Sequence, residues 1–558
     1  MQCADCSKNG SVQVDRHHTV NRRREAAAWV DPPALRLLCI LTAIVPLLPN
    51  SVQTPRREYV NQLSFRQKLF RTTSIDASEG ENVSLTQADS LHRTLGVFSL
   101  TMLGVGGTIG TGIFFTLAEA VPKAGPAVIL SFLIAAFTAG LTALCYAELA
   151  SRIPASGSSY SYVYATVGEF FAYIAAACLL LEFELAASAT AIGWSAYLNN
   201  FIENAFGWHI PLALRSPMIV LGLNGTEFHW GQLNLPPVVL IFLCGVLLLR
   251  GVRESIGVNT VMVLIKIVIL IFFAVIALSG FNADNFSPFF NTDNSKGFAG
   301  MTGVTAAAAT VFFSFIGLDG VATGGAEAKN PRRDVPLAVI AALLIVTVCY
   351  MLVAVTALGA QAAGKFEGQD AGLAVILQNV TGKVWPAVVL SAGAVISVFS
   401  VTLASLYGQT RILYAVSRDG LIGKVFGEVS KKTKVPAKST IIVCAFAALI
   451  SATVDSGYLW DMVSMGTLVA FGIVSAAVPV IRRKPIGADT PLHSKGFRVP
   501  FGPYLIPGLS ILSCLYIIKD LSVTTYTVFG LWMVIAVCGY FVYGIRRSHL
   551  NRATGVAG

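Results

Sequence analysis

Gly104-Val105-Gly106-Gly107-Thr108-Ile109-Gly110-Thr111-Gly112-Ile113-Phe114 interrupts an apolar stretch that runs from Leu95 to about Val121. A second apolar stretch is broken in the same way at Phe312-Phe313-Ser314-Phe315-Ile316-Gly317-Leu318-Asp319-Gly320, and it carries a carboxylate. Lipid offers no water to exposed N–H and C=O groups. Irregular backbone at membrane depth therefore survives only where it lines a cavity inside the protein. Two glycine-broken segments in corresponding halves of a membrane chain point to a transporter's substrate site. The expected fold class is an all-α polytopic membrane protein.

Composition agrees. Hydrophobic residues make up 54% of the 558, charged residues only 13%, and the mean hydropathy is +0.68. A net charge of +10 could suggest nucleic acid, but the basic residues cluster in short loops between apolar runs, where they set membrane orientation. Of ten cysteines, Cys145, Cys178, Cys244, Cys349, Cys444, Cys514 and Cys538 sit inside apolar runs and read as small hydrophobes. Cys3 and Cys6 form a lone pair with no second pair at zinc spacing, so no metal and no cofactor are expected.

A transmembrane helix needs roughly 20 apolar residues. On that rule, spans fall near 95–121, 126–149, 168–198, 236–251, 258–280, 298–324, 336–360, 384–411, 438–455, 459–481, 503–521 and 524–545. Alternate loops hold Arg152; Arg250 and Arg253; Lys329, Arg332 and Arg333; Arg418, Lys424, Lys431, Lys432 and Lys434; Arg482, Arg483, Lys484, Lys495 and Arg498; and Arg546 and Arg547. The opposite loops carry only scattered Lys123, Arg215, Lys296, Lys365 and Lys383. This asymmetry predicts both termini in the cytoplasm.

The chain then divides into a cytoplasmic segment at 61–94, a core at 95–481, a cytoplasmic loop at 482–502, two peripheral spans at 503–545 and a tail at 546–558. Residues 1–60 contain Arg22-Arg23-Arg24 and an apolar run from Leu35 to Leu48 that is too short to span. They read as a disordered extension, as sequence ahead of a true start near Val60, or as a targeting segment. The sequons at Asn224 and Asn379 fall in predicted outer loops.

A broken helix exposes N–H groups where its second half begins, and these favour an anion; the C=O groups ending its first half favour a cation. A zwitterion such as an amino acid satisfies both. The N–H groups of Gly110, Thr111 and Gly112 are candidates for a carboxylate, and the carbonyls of Gly106, Gly107 and Thr108 for an ammonium group. The second break adds the carbonyls of Phe313, Ser314 and Ile316 and the Asp319 side chain. The rival reading, in which Gly106 and Gly110 form a helix-packing face, accounts for one break but not for two with an intramembrane Asp.

Ionisable residues deep in apolar spans cost about 2.5–3.5 kcal/mol each on insertion scales, so they are functional candidates. Four stand out: Glu182, Glu184, Lys266 and Asp319. Lys266 lies about eight residues into its span, roughly 12 Å along it. Burial penalises a charged amine, which suits a residue that gains and loses a proton once per cycle; the alternative is a lysine snorkelling to the interface. Glu182 and Glu184 are two apart and point to different helix faces, so at most one is expected to face the cavity. No histidine falls in a predicted span, leaving Lys266 and a carboxylate as proton carriers. Nothing resembling a Ser/His/Asp constellation or a nucleotide loop appears within the spans, so an enzyme is a poor fit.

From about Phe65 to Arg547 the chain resembles the bacterial form of the cationic amino acid transporter family, within the amino acid–polyamine–organocation superfamily. The motifs are the Gly104–Phe114 stretch, Cys145-Tyr146-Ala147-Glu148-Leu149-Ala150-Ser151-Arg152-Ile153-Pro154, Gly193-Trp194-Ser195, Phe315-Ile316-Gly317 with Asp319, Ala328-Lys329-Asn330-Pro331-Arg332-Arg333-Asp334, and Ser417-Arg418-Asp419-Gly420-Leu421. The resemblance implies two five-helix inverted repeats plus two peripheral spans, with substrate held between the broken first and sixth helices. It implies that Lys266 matches the fifth-span lysine of proton-coupled relatives, and Glu182 the third-span glutamate near the substrate's side chain. Thr108, Glu184 and the single Glu327 depart from the family pattern, Glu184 by placing a carboxylate where the family tends to be apolar.

The expected activity is secondary active, proton-coupled uptake of L-amino acids by alternating access across a bacterial cytoplasmic membrane. The partners are then an amino acid, a proton and the lipid bilayer. An exchanger, a polyamine carrier, or an amino-acid-binding sensor or channel remain open, as does cationic versus neutral substrate.

Overall fold

The computed structural model describes residues 65–72, 95–153, 158–222, 225–250, 256–291, 298–318, 320–323, 328–369, 371–430, 433, 435–483 and 497–552. All lie within the unit Asn50–Gly558. The expected extension at 1–60, with its Cys3 and Cys6, most of the segment 61–94, Asn224, Asp319 and Glu327 lie outside the described residues.

Every predicted span coincides with helix. The first is α1 (Val97–Thr108) and α2 (Thr111–Ala124), separated at Ile109 and Gly110. It is followed by α3 (Val128–Arg152), α4 (Ser158–Thr166), α5 (Glu169–Phe206), α6 (Leu235–Leu249) and α7 (Ile256–Ala277). The second broken span begins with α8 (Met301–Phe312), tightens into a 3₁₀ turn at Phe313–Phe315 and ends in the short helix Gly320–Thr323. Then come α9 (Pro331–Ala360), α10 (Gly372–Thr381), α11 (Trp385–Arg418), α12 (Ala437–Thr453), α13 (Gly457–Arg483), α14 (Leu505–Ile518) and α15 (Val523–Gly539). Among the described residues, seven helical stretches are long and apolar enough to cross a membrane; shorter apolar helices, α1 and α8 among them, account for the other segments. The chain is an all-α polytopic membrane protein.

Three elements were not legible as spans. Helix α4 is polar and aromatic, α10 is only ten residues long, and a hairpin of β1 (Ile219–Gly222) and β2 (Gly225–Phe228) fills the loop between α5 and α6. None has the sustained apolar run that marks a crossing.

Helix α7 shows how lipid and protein divide one helix. Val261, Leu264, Val268, Ile271 and Val275 are each at least 47% exposed, at the three- and four-residue spacing that makes one helix face. Val263, Lys266, Leu270, Phe273 and Ala277 fall on the opposite face and are buried. The apolar stripe is exposed because its solvent is lipid. Four of the span cysteines are buried as expected, Cys349 and Cys444 are half-buried, and Cys538 is exposed.

Two buried carboxylates fasten the ends of the bundle at which the basic loops gather. Glu148, closing α3, accepts from both arms of Arg482, from Arg152 at 2.8 Å and from the Val499 backbone N–H at 2.8 Å. Glu169, opening α5, accepts from Arg71 at 2.7 and 2.9 Å, Ser548 at 2.5 Å, Tyr540 at 3.1 Å and Tyr164 at 3.3 Å. Tyr160 on α4 donates to Asp419. Burial, then the neighbouring Asp419 and Glu169 carboxylates, push the Tyr160 and Tyr164 phenols well up, so both remain donors at neutral pH. Removing one partner of a buried ion pair strands the other charge, at about 3–5 kcal/mol. Glu148→Ala is therefore expected to lower the thermal midpoint of the purified chain sharply, whereas an exposed pair such as Lys438–Glu428 should tolerate Glu428→Ala.

Candidate functional site

The two breaks meet. Gly317 has φ +100°, open to glycine and strained for other residues, and a Cβ there would lie 2.6 Å from the Gly107 carbonyl oxygen. Farther along, a Cβ on Gly112 would lie 2.5 Å from the Ser314 Cα. Backbone thus touches backbone where the spans unwind, and side chains are excluded. Thr116 on α2 and Ser314 complete the contact through hydroxyls 3.2 Å apart.

Ending α1 in mid-bundle frees carbonyls that must find donors. The Lys266 ammonium donates to the Gly106 carbonyl at 2.8 Å, and the Thr108 hydroxyl turns back to Gly104 at 2.8 Å. Lys266 is 1% exposed, which removes the snorkelling alternative. The phenol of Tyr350 on α9 lies 2.8 Å from the carbonyls of both Thr108 and Ser314. Tyr350 is fully buried and packs edge-on against Phe315. Sequence reasoning missed it, although a tyrosine inside an apolar span signals a phenol in need of a partner. Of the carbonyls assigned by sequence to an ammonium group, that of Gly106 accepts from Lys266, that of Phe313 from the Ile316 N–H, and those of Thr108 and Ser314 share the single Tyr350 proton. A carbonyl has a second lone pair.

Helix α2 begins at Thr111 after Gly110, with no side-chain cap on its first turn, so its leading N–H groups favour an anion. Val401 of α11 stands against Gly110: a Cβ there would meet its methyl group at 2.4 Å. Ile316 is extended, and its N–H donates to the Phe313 carbonyl at 3.2 Å.

Toward the far end of α2 the breaks are roofed by rings. Trp460 of α13 stacks on Phe115 at 6.2 Å and meets Phe313 edge-on at 4.5 Å; Tyr197 abuts Phe115 at 5.0 Å. Beyond them Lys123 donates to Thr310 at 2.8 Å and lies 3.7 Å from Asp461, whose other oxygen accepts from Thr310 at 3.0 Å. One layer of rings and one polar cluster thus join α2, α8 and α13.

The two glutamates of α5 do separate. Glu182 is buried beside Gly466 of α13, whereas Glu184 accepts from Gln409 of α11. Among the described residues no group of three or more metal-ligating side chains forms. Asp319 lies outside them.

Comparison with known proteins gives this architecture its place. The amino acid permease family pattern matches residues 95–538. A branched-chain amino acid permease of Bacillus subtilis is 38% identical over 87% of this chain and 99% of its own length. The methylthioribose transporter of the same organism is 38% identical over 87% and 99%. Human cationic amino acid transporter 4 is 33% identical over 75% of this chain and 63% of its own length. With two backbone breaks apposed inside an all-helical membrane bundle, and that pattern covering nearly all of it, the chain belongs to the amino acid permease family.

Proposed function

We propose that the chain carries L-amino acids with an uncharged side chain into the cell by alternating access, coupled to protons, and that it is not an enzyme. The observation carrying this reading is the apposition of the two breaks, which sets the uncapped start of α2 beside the carbonyls that end α1 and α8. Gly110, Thr111 and Gly112 would hold the carboxylate. Carbonyls of Gly107 and Ile316, with the second lone pairs of Gly106, Thr108, Phe313 and Ser314, would take the ammonium group, with Asp319 nearby in sequence. Glu182 and Val401 would border the side chain.

An uncharged side chain is favoured because Phe115, Phe313, Trp460 and Val401 crowd the breaks, while Glu148, Glu169 and Asp461 already have donors. Relatives of equal identity carry names of different substrates, so similarity alone does not choose among them. Lys266 would take and release the coupling proton, its hold on the Gly106 carbonyl weakening when neutral. On the positive-inside pattern the basic ends of α3, α11 and α13, and Arg546 and Arg547 beyond α15, would face the cytoplasm, and the aromatic roof and the Lys123–Thr310–Asp461 cluster the outside.

Uptake into proteoliposomes with an inward proton gradient tests the proposal, screening each common amino acid and methylthioribose. Accumulation of branched or aromatic amino acids, collapsed by a protonophore, is the expected result. Accumulation only in exchange for an internal substrate, or of methylthioribose alone, would refute it.

A further inference from the structure

Outside the substrate region, α5 and α11 share a polar pair that the proposed function does not use. The Gln409 amide nitrogen donates to one oxygen of Glu184. The other Glu184 oxygen and the Gln409 carbonyl oxygen are both buried and have no hydrogen-bond partner. Two acceptors without donors, on the two members of one pair, are a mismatch that interiors avoid. A carboxylate cannot resolve it, because it only accepts. A carboxylic acid can: its O–H donates to the amide carbonyl while the amide N–H donates to its C=O, closing a ring of two hydrogen bonds. A single proton satisfies both orphaned oxygens.

The surroundings agree. The hydrogen bond to the Glu184 carboxyl comes from Gln409 of α11. From α12, packed on the same side, the ionisable group facing it is the Cys444 thiol, and Cys444 lies against Gly245 of α6. The Ser188 hydroxyl, one turn along α5, reaches the backbone carbonyls of Glu184 and Ala447. Val401, which stands against Gly110, and Thr402, which bonds Thr190 of α5 at 3.0 Å, lie two turns up α11 from Gln409.

The geometry points to Glu184 as a second proton-binding site, distinct from Lys266, at which a proton taken from water converts carboxylate to acid and locks α5 to α11 through Gln409. Only a proton is bound; no bond within the chain breaks and nothing is oxidised. Loss of that proton leaves an anion on a single N–H donor and loosens the contact. The inference concerns protonation and not transport, so it stands or falls separately from the uptake reading.

Infrared difference spectroscopy of the purified full-length chain tests it. At neutral pH, subtracting the Glu184→Gln spectrum from wild type should leave one protonated-carboxyl C=O band. That band should vanish on alkaline titration and move to higher frequency in Gln409→Leu, where the acid has lost its amide partner. A difference spectrum containing only carboxylate bands overturns the proposal, as would be the case if a water supplied the missing donor. Should Glu184→Gln fail to fold, the Gln409→Leu shift decides alone: an unmoved carboxyl region overturns the proposal. Thermal midpoints give an independent reading. A folded state holding an extra proton loses stability as pH rises, so wild type should fall relative to Glu184→Gln between acid and alkaline pH. Parallel profiles overturn the proposal.

Discussion

Gly317→Ala is expected to abolish amino acid uptake while leaving a membrane-inserted chain of normal size. Two effects act together. The φ of +100° is strained for any residue with a Cβ, at about 1–3 kcal/mol. The added methyl would also sit 2.6 Å from the Gly107 carbonyl oxygen and 2.8 Å from its carbon, well inside van der Waals contact. Backbone cannot swing aside as a side chain can, so the two breaks must separate, by an ångström or so. A displacement of that order at a site is enough to cost roughly a hundredfold in function. Uptake in proteoliposomes and substrate-induced thermal shift, measured together, check the result: both should be lost. Gly364→Ala, where nothing lies within 4 Å, is the control expected to behave as wild type. Normal substrate binding by Gly317→Ala would remove the apposed breaks from the binding site.

Lys266→Ala carries the second large effect. It deletes a buried cation and strips the Gly106 carbonyl of its 2.8 Å donor. A hydrogen bond to a charged group contributes about 1.5–3 kcal/mol, so binding that depends on the ordered break should weaken by roughly tenfold or more. The sharper readout is coupling. Wild-type uptake should rise with an inward proton gradient, and the variant's residual uptake should ignore that gradient. Lys266→Arg separates charge from titration: it retains a donor yet stays charged at every working pH. It should bind substrate better than Lys266→Ala and still respond poorly to the gradient. Full gradient-driven uptake in Lys266→Ala would show that the lysine only props the carbonyl.

The gains and omissions of the sequence reading follow from distance along the chain. The break at Ile109–Gly110 was legible because glycine clustering acts locally. Burial of Lys266 was anticipated only as one of two readings, since a lysine on a helix can face lipid or protein until its neighbours are known; the exposed stripe of α7 decides it. The phenol of Tyr350 in an apolar run signals the need for a partner, but not which carbonyls it reaches. Separation of Glu182 from Glu184 was read correctly from helix geometry, yet nothing in the local sequence pointed to Gln409, 225 residues away.

Membrane class, the positions of the helices and the two points where they unwind were already present in the linear order of residues. They depend on whether some 20 consecutive side chains are apolar and whether glycine interrupts them, which are properties of short segments. The donors that hold the unwound ends were chosen by folding alone. Lys266 reaches Gly106 across 160 positions, and Tyr350 reaches Thr108 across 242. Orphaned backbone groups in a bundle without water accept whichever donor packing brings within 3 Å, and packing is a property of the whole molecule.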